Sequence, residues 1–157
     1  MDYQIRRIKE TEYEILDTFL YEAIYIPEGF DPPARDVILR PELQVYVNEF
    51  GNRTGDNGLV AEIDGRIVGA VWTRIMDDYG HVDDETPSIA ISLLQGYRGF
   101  GIGTKLMEQM LVELRKQKYK KASLSVQKKN YAVQMYKKVG FEIVQENDEE
   151  YIMVCKL

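Results

Sequence analysis

Three glycines at alternate positions, Gly99, Gly101 and Gly103, stand between an apolar run and a helical repeat, and no other feature limits the fold as much. Residues 88–94 ahead of them are almost continuously apolar, which predicts a strand buried on both faces. Behind them Ile102, Leu106, Met110 and Leu114 step by fours, with Met107 and Leu111 alongside, so an amphipathic helix starts at Ile102. Arg115, Lys116 and Lys118 gather at its far end, where cations meet the negative pole of the helix dipole. Ala122, Leu124 and Val126 then alternate with Ser123 and Ser125 as a second strand. Strand, helix and strand in this order form a β-α-β crossover.

The remaining segments read as antiparallel hairpins and short helices around that unit. Residues 3–8 alternate as a first strand. Thr11 and Glu14 match a capping box, and Ile15, Leu16, Phe19, Leu20 and Ala23 carry a helix to about Tyr25, before Pro27 and Gly29. Residues 31–40 form a loop with a short helical turn, and Pro41 opens a second helix over 42–50. Residues 51–58 are a flexible loop by composition. Strands at 59–63 and 66–76 turn on Asp64-Gly65, and an acidic loop follows at 77–87. Asn130 caps a helix through Val139 that Gly140 ends, and strands at 141–144 and 151–157 close the chain. The reading is one domain over residues 1–157, an α/β fold with a mixed, α+β-like sheet.

The turn itself points to an anion. Glycines at 99, 101 and 103 remove every Cβ from the path of a ligand, and their amides converge at the positive end of the helix. A P-loop is disfavoured because Gly103 is followed by Thr104-Lys105, the wrong order for Gly-Lys-Ser/Thr. A dinucleotide fingerprint is disfavoured because the spacing is Gly-x-Gly-x-Gly and comes late in the chain. On the turn alone, a bend without a ligand remains the alternative. The net charge of −6 argues against nucleic acid as a partner. No apolar run reaches the roughly 20 residues needed to cross a membrane, and residues 1–4 lack a signal-peptide pattern. Cys155 is the single cysteine and His81 the single histidine, so neither an intrachain disulfide nor a Cys/His metal site is expected. A cytoplasmic setting is the expectation.

Arg98, Gly101 and Gly103 satisfy Arg-x-x-Gly-x-Gly, which resembles the acetyl-CoA signature of the Gcn5-related N-acetyltransferase (GNAT) superfamily. Residues 130–141 are similar to that family's second cofactor motif: Asn130 opens a helix, Tyr136 lies six residues on, and Gly140-Phe141 closes the segment. Read alone, Asn130 is equally a plain N-cap and Tyr136 a core tyrosine. Together the motifs imply a predominantly antiparallel seven-stranded sheet with a central β-α-β crossover and helices on both faces. The resemblance implies that the backbone of Leu93 and Leu94 binds the pantetheine arm. It implies that the turn, from Arg98 through Gly99, Phe100, Gly101, Ile102 and Gly103 to Thr104, holds the pyrophosphate with help from Asn130. Tyr136 then faces the thioester sulfur as general acid.

The implied activity is transfer of an acetyl group from acetyl-CoA, without a metal, to a primary amine of a small molecule or protein. A non-catalytic acyl-CoA-binding sensor or regulatory module is the alternative. Many family members carry a glutamate on the strand before the turn as base, but residues 88–94 offer only Ser88 and Ser92 as polar groups. Asp77, Asp78, His81, Asp83, Asp84, Glu85, Glu22 and Glu28 lie within reach, and each taken singly reads as a solvated charge. The acceptor site is expected around Tyr25, Ile26, Glu28, Phe30, Trp72 and the 77–85 loop, with Trp72 read more naturally as core. Related proteins are often dimers, and the C-terminal hairpin, with Ile152 and Val154, offers a seam for a homodimer.

Overall fold

The structure is a computed structural model and describes residues 2–157; Met1, with which the N-terminal expectation begins, lies outside the described residues. Seven strands form one sheet: β1 Gln4–Arg7, β2 Asn57–Ile63, β3 Arg66–Arg74, β4 Ser88–Leu93, β5 Lys121–Gln127, β6 Phe141–Glu146 and β7 Glu150–Lys156. Their spatial order is β1-β2-β3-β4-β5-β7-β6, and every neighbouring pair is antiparallel except β4 with β5. The helices are α1 Leu16–Glu22, α2 Pro41–Gln44, α3 Ile102–Lys116 and α4 Ala132–Val139. The mixed sheet with a central crossover is thus the one read from the sequence.

Alternation along the strands sorts the core into two layers. Leu59, Ala61, Val71, Ile89, Leu124 and Val126 face α3 and α4, where Ile102, Leu106, Met110, Leu114 and Val133 are buried. Val60, Ala70 and Trp72 face the other way and pack on Leu16, Phe19, Leu20 and Phe50. No helix among the described residues is long and apolar enough to cross a membrane.

Two helices differ from the sequence reading. The first begins earlier, as a 3-10 turn over Glu10–Ile15, and ends at Glu22 rather than near Tyr25. Its capping acid is Glu12, which accepts the Lys9 amide at 2.8 Å, so Thr11 and Glu14 do not form the box. Glu12 is drawn there because both its oxygens also bind Arg6 of β1 at 2.9 Å. The second helix, expected over 42–50, stops at Gln44. The Val45 and Asn48 carbonyls accept from Arg74 at 3.2 and 2.6 Å, and the Tyr46 carbonyl accepts from Trp72 Nε1 at 3.1 Å. Carbonyls bound by side chains from β3 have less to offer to a helical ladder, and Glu49 turns to φ 53°. Arg74 is itself fully buried and held by both Asp56 oxygens at 2.9 and 2.8 Å.

Candidate active site

β4 and β5 pair at one point only, Ser88 with Ser123, and diverge beyond it. A gap therefore opens in the middle of the sheet and widens toward the turn that follows β4. The phase of the hydrogen bonds shows what lines it. Leu94 N–H donates to Val68 O at 2.9 Å, so Ser92 and Ala90 are the mutually bonded partners of β3. Ile91 and Leu93 alternate with them and turn their main-chain groups toward the gap. Across it, Lys128 and Leu157 donate to Glu149 and Lys120, which fixes the β5–β7 phase and turns the Ser123 and Ser125 main chains toward β4. Of the two leucines assigned to the pantetheine arm, only Leu93 has an amide turned to the gap, its carbonyl being bonded by the Arg98 side chain; the Leu94 amide is committed to β3.

The turn at the open end has the composition of an anion cradle. Gly99 and Gly101 sit at φ 86° and 84°, a left-handed conformation that side chains resist, and nothing lies within 4 Å of where a Cβ would project. Arg98 N–H donates to Gln95 O, and Lys105 N–H closes the first helical bond to Gly101 O. Between them the amides of Gly99, Phe100, Gly101, Ile102, Gly103 and Thr104 have no acceptor among the described residues. Six successive donors at the start of a 15-residue helix, α3, face outward together with its dipole. Phe100 is exposed, whereas Ile102 is buried beneath α3 and anchors the turn to the core.

The Arg98 side chain does not face this cradle. Its Nε donates to Leu93 O at 3.0 Å and its Nη2 to the Glu22 carbonyl and carboxylate, each at 3.2 Å. It straps the end of α1 to the end of β4, and it removes Glu22 from the free carboxylates.

A Cβ on Gly103 would lie 3.6 Å from Leu93 Cδ1 and 3.9 Å from Met135 Cε, so turn, β4 and α4 meet. Asn130 Oδ1 accepts the Ala132 amide at 2.9 Å and caps α4, leaving Nδ2 without an acceptor among the described residues. The Tyr136 ring is 8% exposed and packs edge-on against Phe141 at 6.0 Å. Its hydroxyl has no partner among the described residues, yet no fully buried side-chain oxygen goes unpaired, so that oxygen keeps an opening to solvent. Burial, with a smaller contribution from Tyr131, pushes the Tyr136 pKa above the ordinary phenol value. The group stays protonated at neutral pH, the state a proton donor needs.

The acids upstream of β4 separate in the structure. Asp77, Asp84, Glu85 and Glu28 are exposed. Asp83 accepts from Thr86 Oγ1 and the Glu85 amide at 2.8 Å and pairs with Lys121, and these contacts hold its carboxyl down at about 2. His81 Nδ1 is 2.8 Å from Met76 O and braces the loop. Asp78 departs from the expected solvated charge. It is half-buried and accepts Ser88 Oγ at 2.8 Å, and Ser88 Oγ is 3.5 Å from Ser123 Oγ. Tyr46 lies near Asp78 and Ser125; burial first, and then the Asp78 charge, pushes its pKa above the ordinary phenol value. Tyr46 and Ser125 were missed from sequence, where one read as part of a helix and the other as an alternating strand residue. Trp72 is fully buried and lies in the core, and Phe30 is exposed.

Comparison with known proteins agrees with this geometry. The model of the acetyltransferase (GNAT) family matches residues 19–141. The chain belongs to that family. An N-alpha-acetyltransferase of Sulfurisphaera tokodaii is 30% identical over 115 residues, covering 62% of this chain and 68% of that protein. PaiA N-acetyltransferase from Thermoplasma acidophilum, solved in complex with coenzyme A, superposes with a TM-score of 0.72 at 18% identity over 100% of both chains. A GNAT-family acetyltransferase from Streptococcus pneumoniae superposes with a TM-score of 0.71 at 20% identity over 99% of both. For this GNAT protein the structural likenesses establish the fold, and the family match establishes an acetyltransferase that handles acyl-CoA.

Proposed function

We propose that the protein transfers an acetyl group from acetyl-CoA to a primary amine by direct attack of the amine on the thioester. The observation that carries this is the run of unpartnered amides from Gly99 to Thr104, continuous with the open main-chain edge of β4. The site fits the co-substrate by its chemistry: uncharged donors and a helix dipole suit a diphosphate, and the β4 edge suits an extended amide arm. Acetyl-CoA supplies the activated acyl group. The residues do the rest. The amides of 99–104 hold the diphosphate, and the Leu93 main chain aligns the arm. The Ile91 and Leu93 amides are the preorganised donors for a developing oxyanion. Tyr136 delivers a proton to the departing sulfur, a contribution on the order of 10²–10⁴-fold.

The name of the Sulfurisphaera relative makes the α-amine of a peptide the first acceptor to try, with alkylamines and polyamines beside it. The test follows free thiol while the protein is incubated with acetyl-CoA and each amine. Acceptor-dependent thiol release is expected with at least one. Coenzyme A binding by calorimetry without thiol release from any amine would instead describe a protein that only binds the cofactor.

A further inference from the structure

The chain lacks a carboxylate on β4, yet the acceptor has a proton to lose: an alkyl amine has a pKa of about 10.4 and a peptide α-amine about 7.7–8.0, so either is mostly protonated at neutral pH. The loop between β3 and β4 folds back and delivers a carboxylate to the strand. On the reading given above, we propose that Asp78, held by Ser88 at the closed end of the β4–β5 gap, is the group that takes the proton from the acceptor amine.

Placement argues for it first. The gap runs from the amide cradle at its open end to the Ser88–Ser123 pair at its closed end. An arm lying along β4 from the cradle points its reactive end toward that pair. Ser88 shares a face with Ala90, and Ser123 and Ser125 alternate with Ala122, Leu124 and Val126, so all three hydroxyls lie on the face away from α3 and α4. Asp78 therefore stands on the side of the sheet opposite Tyr136, which comes from α4. An amine entering from the α1 side would meet the carboxylate, while the sulfur leaves toward the phenol.

The loop is fitted to the strand rather than draped over it. Gly80 is buried, and a Cβ there would lie 3.0 Å from Leu124 C and Ser125 N, both backbone atoms. Burial raises the Asp78 pKa, opposed in smaller measure by the bonds from Ser88, Tyr46 and the Gly80 backbone. The titratable neighbours are Tyr46, from the segment after α2, and Asp77, Tyr79 and His81 on the loop itself, the last donating its amide to Asp78 O at 3.3 Å. β4 and β5 present serine hydroxyls there, and Lys121 of β5, on the same face, is paired with Asp83. The nearest guanidinium along β3, that of Arg74 opposite Ser88, is spent on Asp56.

The proton balance closes. The ammonium gives one proton to an Asp78 oxygen, and the freed nitrogen bonds to the acyl carbon. The carbon–sulfur bond breaks, and the sulfur takes the Tyr136 proton, which the nitrogen restores by losing its second. Asp78 returns its proton to water, so one proton is released per turnover.

The test measures kcat, KM and their pH dependence for Asp78→Asn and Tyr46→Phe, using whichever amine releases thiol with the wild type. Asp78→Asn is expected to lower kcat at neutral pH at least 100-fold. It should lose the acid limb of the profile, leave acetyl-CoA affinity within about threefold, and recover with an amine of low pKa such as methoxyamine. Tyr46→Phe removes a donor that favours the carboxylate, so the acid limb should move to higher pH. Stability separates this from a structural role. The folded state binds the Asp78 proton more tightly than the unfolded chain, so stability falls as pH rises above the ordinary carboxylate pKa. The ionised carboxylate is then a burden at neutral pH, and Asp78→Asn should melt no lower than wild type. Asp84→Asn, on the exposed part of the same loop, is the control and should match wild type. Wild-type turnover with an unchanged profile in Asp78→Asn would overturn the assignment while leaving the transferase reading intact. Coenzyme A binding with no thiol release from any amine would overturn both.

Discussion

Tyr136 shows how a core residue can still offer a reactive group. Its ring belongs to the layer between α4 and β6, and its hydroxyl alone reaches an opening. Phenylalanine preserves the packing, so Tyr136→Phe should fold normally and bind acetyl-CoA within about twofold of wild type. Turnover should fall at least tenfold, the lower end of what proton transfer contributes being about 100-fold when no water substitutes. Steady-state kinetics with a calorimetric Kd checks both, and an unchanged kcat would remove Tyr136 from the chemistry. At this scale the sequence was informative wherever a residue's role depends on its chain neighbours. Gly101 and Asn130 are legible as helix starts from their chain neighbours, whereas Tyr136 stands out only through the family resemblance. Arg98 is different: its guanidinium turns back to Leu93 O and to Glu22, whose positions are set by α1 packing and not by the motif. Asp78 was indistinguishable from its acidic neighbours because its hydroxyl partners come from other elements, at positions 46 and 88.

At the level of elements, the segment after α2 depends on a charge buried in β3. Arg74 and Asp56 form a fully enclosed pair, and Arg74 also satisfies the Val45 and Asn48 carbonyls. Removing one member of such a pair strands the other charge, at about 3–5 kcal/mol. Asp56→Ala should lose that much in denaturant unfolding; a loss below about 1 kcal/mol would show that the pair does not hold this face. The same contacts explain why the second helix was read too long. Its sequence pattern is helical to Phe50, but Arg74 and Trp72, distant in the chain, claim its carbonyls. Elements whose determinants are local were legible: α3 from its four-residue stepping, and the β2–β3 turn from Asp64-Gly65. The divergence of β4 from β5 was not, because neither strand's pattern records how far its pairing with the other extends.

For the whole molecule, the interruption of the sheet places a gap between two helix layers, one with α3 and α4 and the other with α1. The helix layer with α3 and α4 carries the glycine turn and Tyr136, and the layer with α1 carries the carboxylate held by Ser88. On the proposed reading, donor and acceptor would meet through the sheet rather than on one surface. On the same reading, a chain of net charge −6 would hold a diphosphate here through amides and a helix dipole, the Arg98 side chain being turned away to Leu93 and Glu22. The most direct measurement is a titration of the 15N-labelled protein with coenzyme A, followed by amide NMR. The amides of residues 99–104 and of Ile91 and Leu93 should show the largest shifts, saturating together with one affinity. Saturable binding that moves a different set of amides, or no binding at all, would contradict the placement of the cofactor and the chemistry built on it.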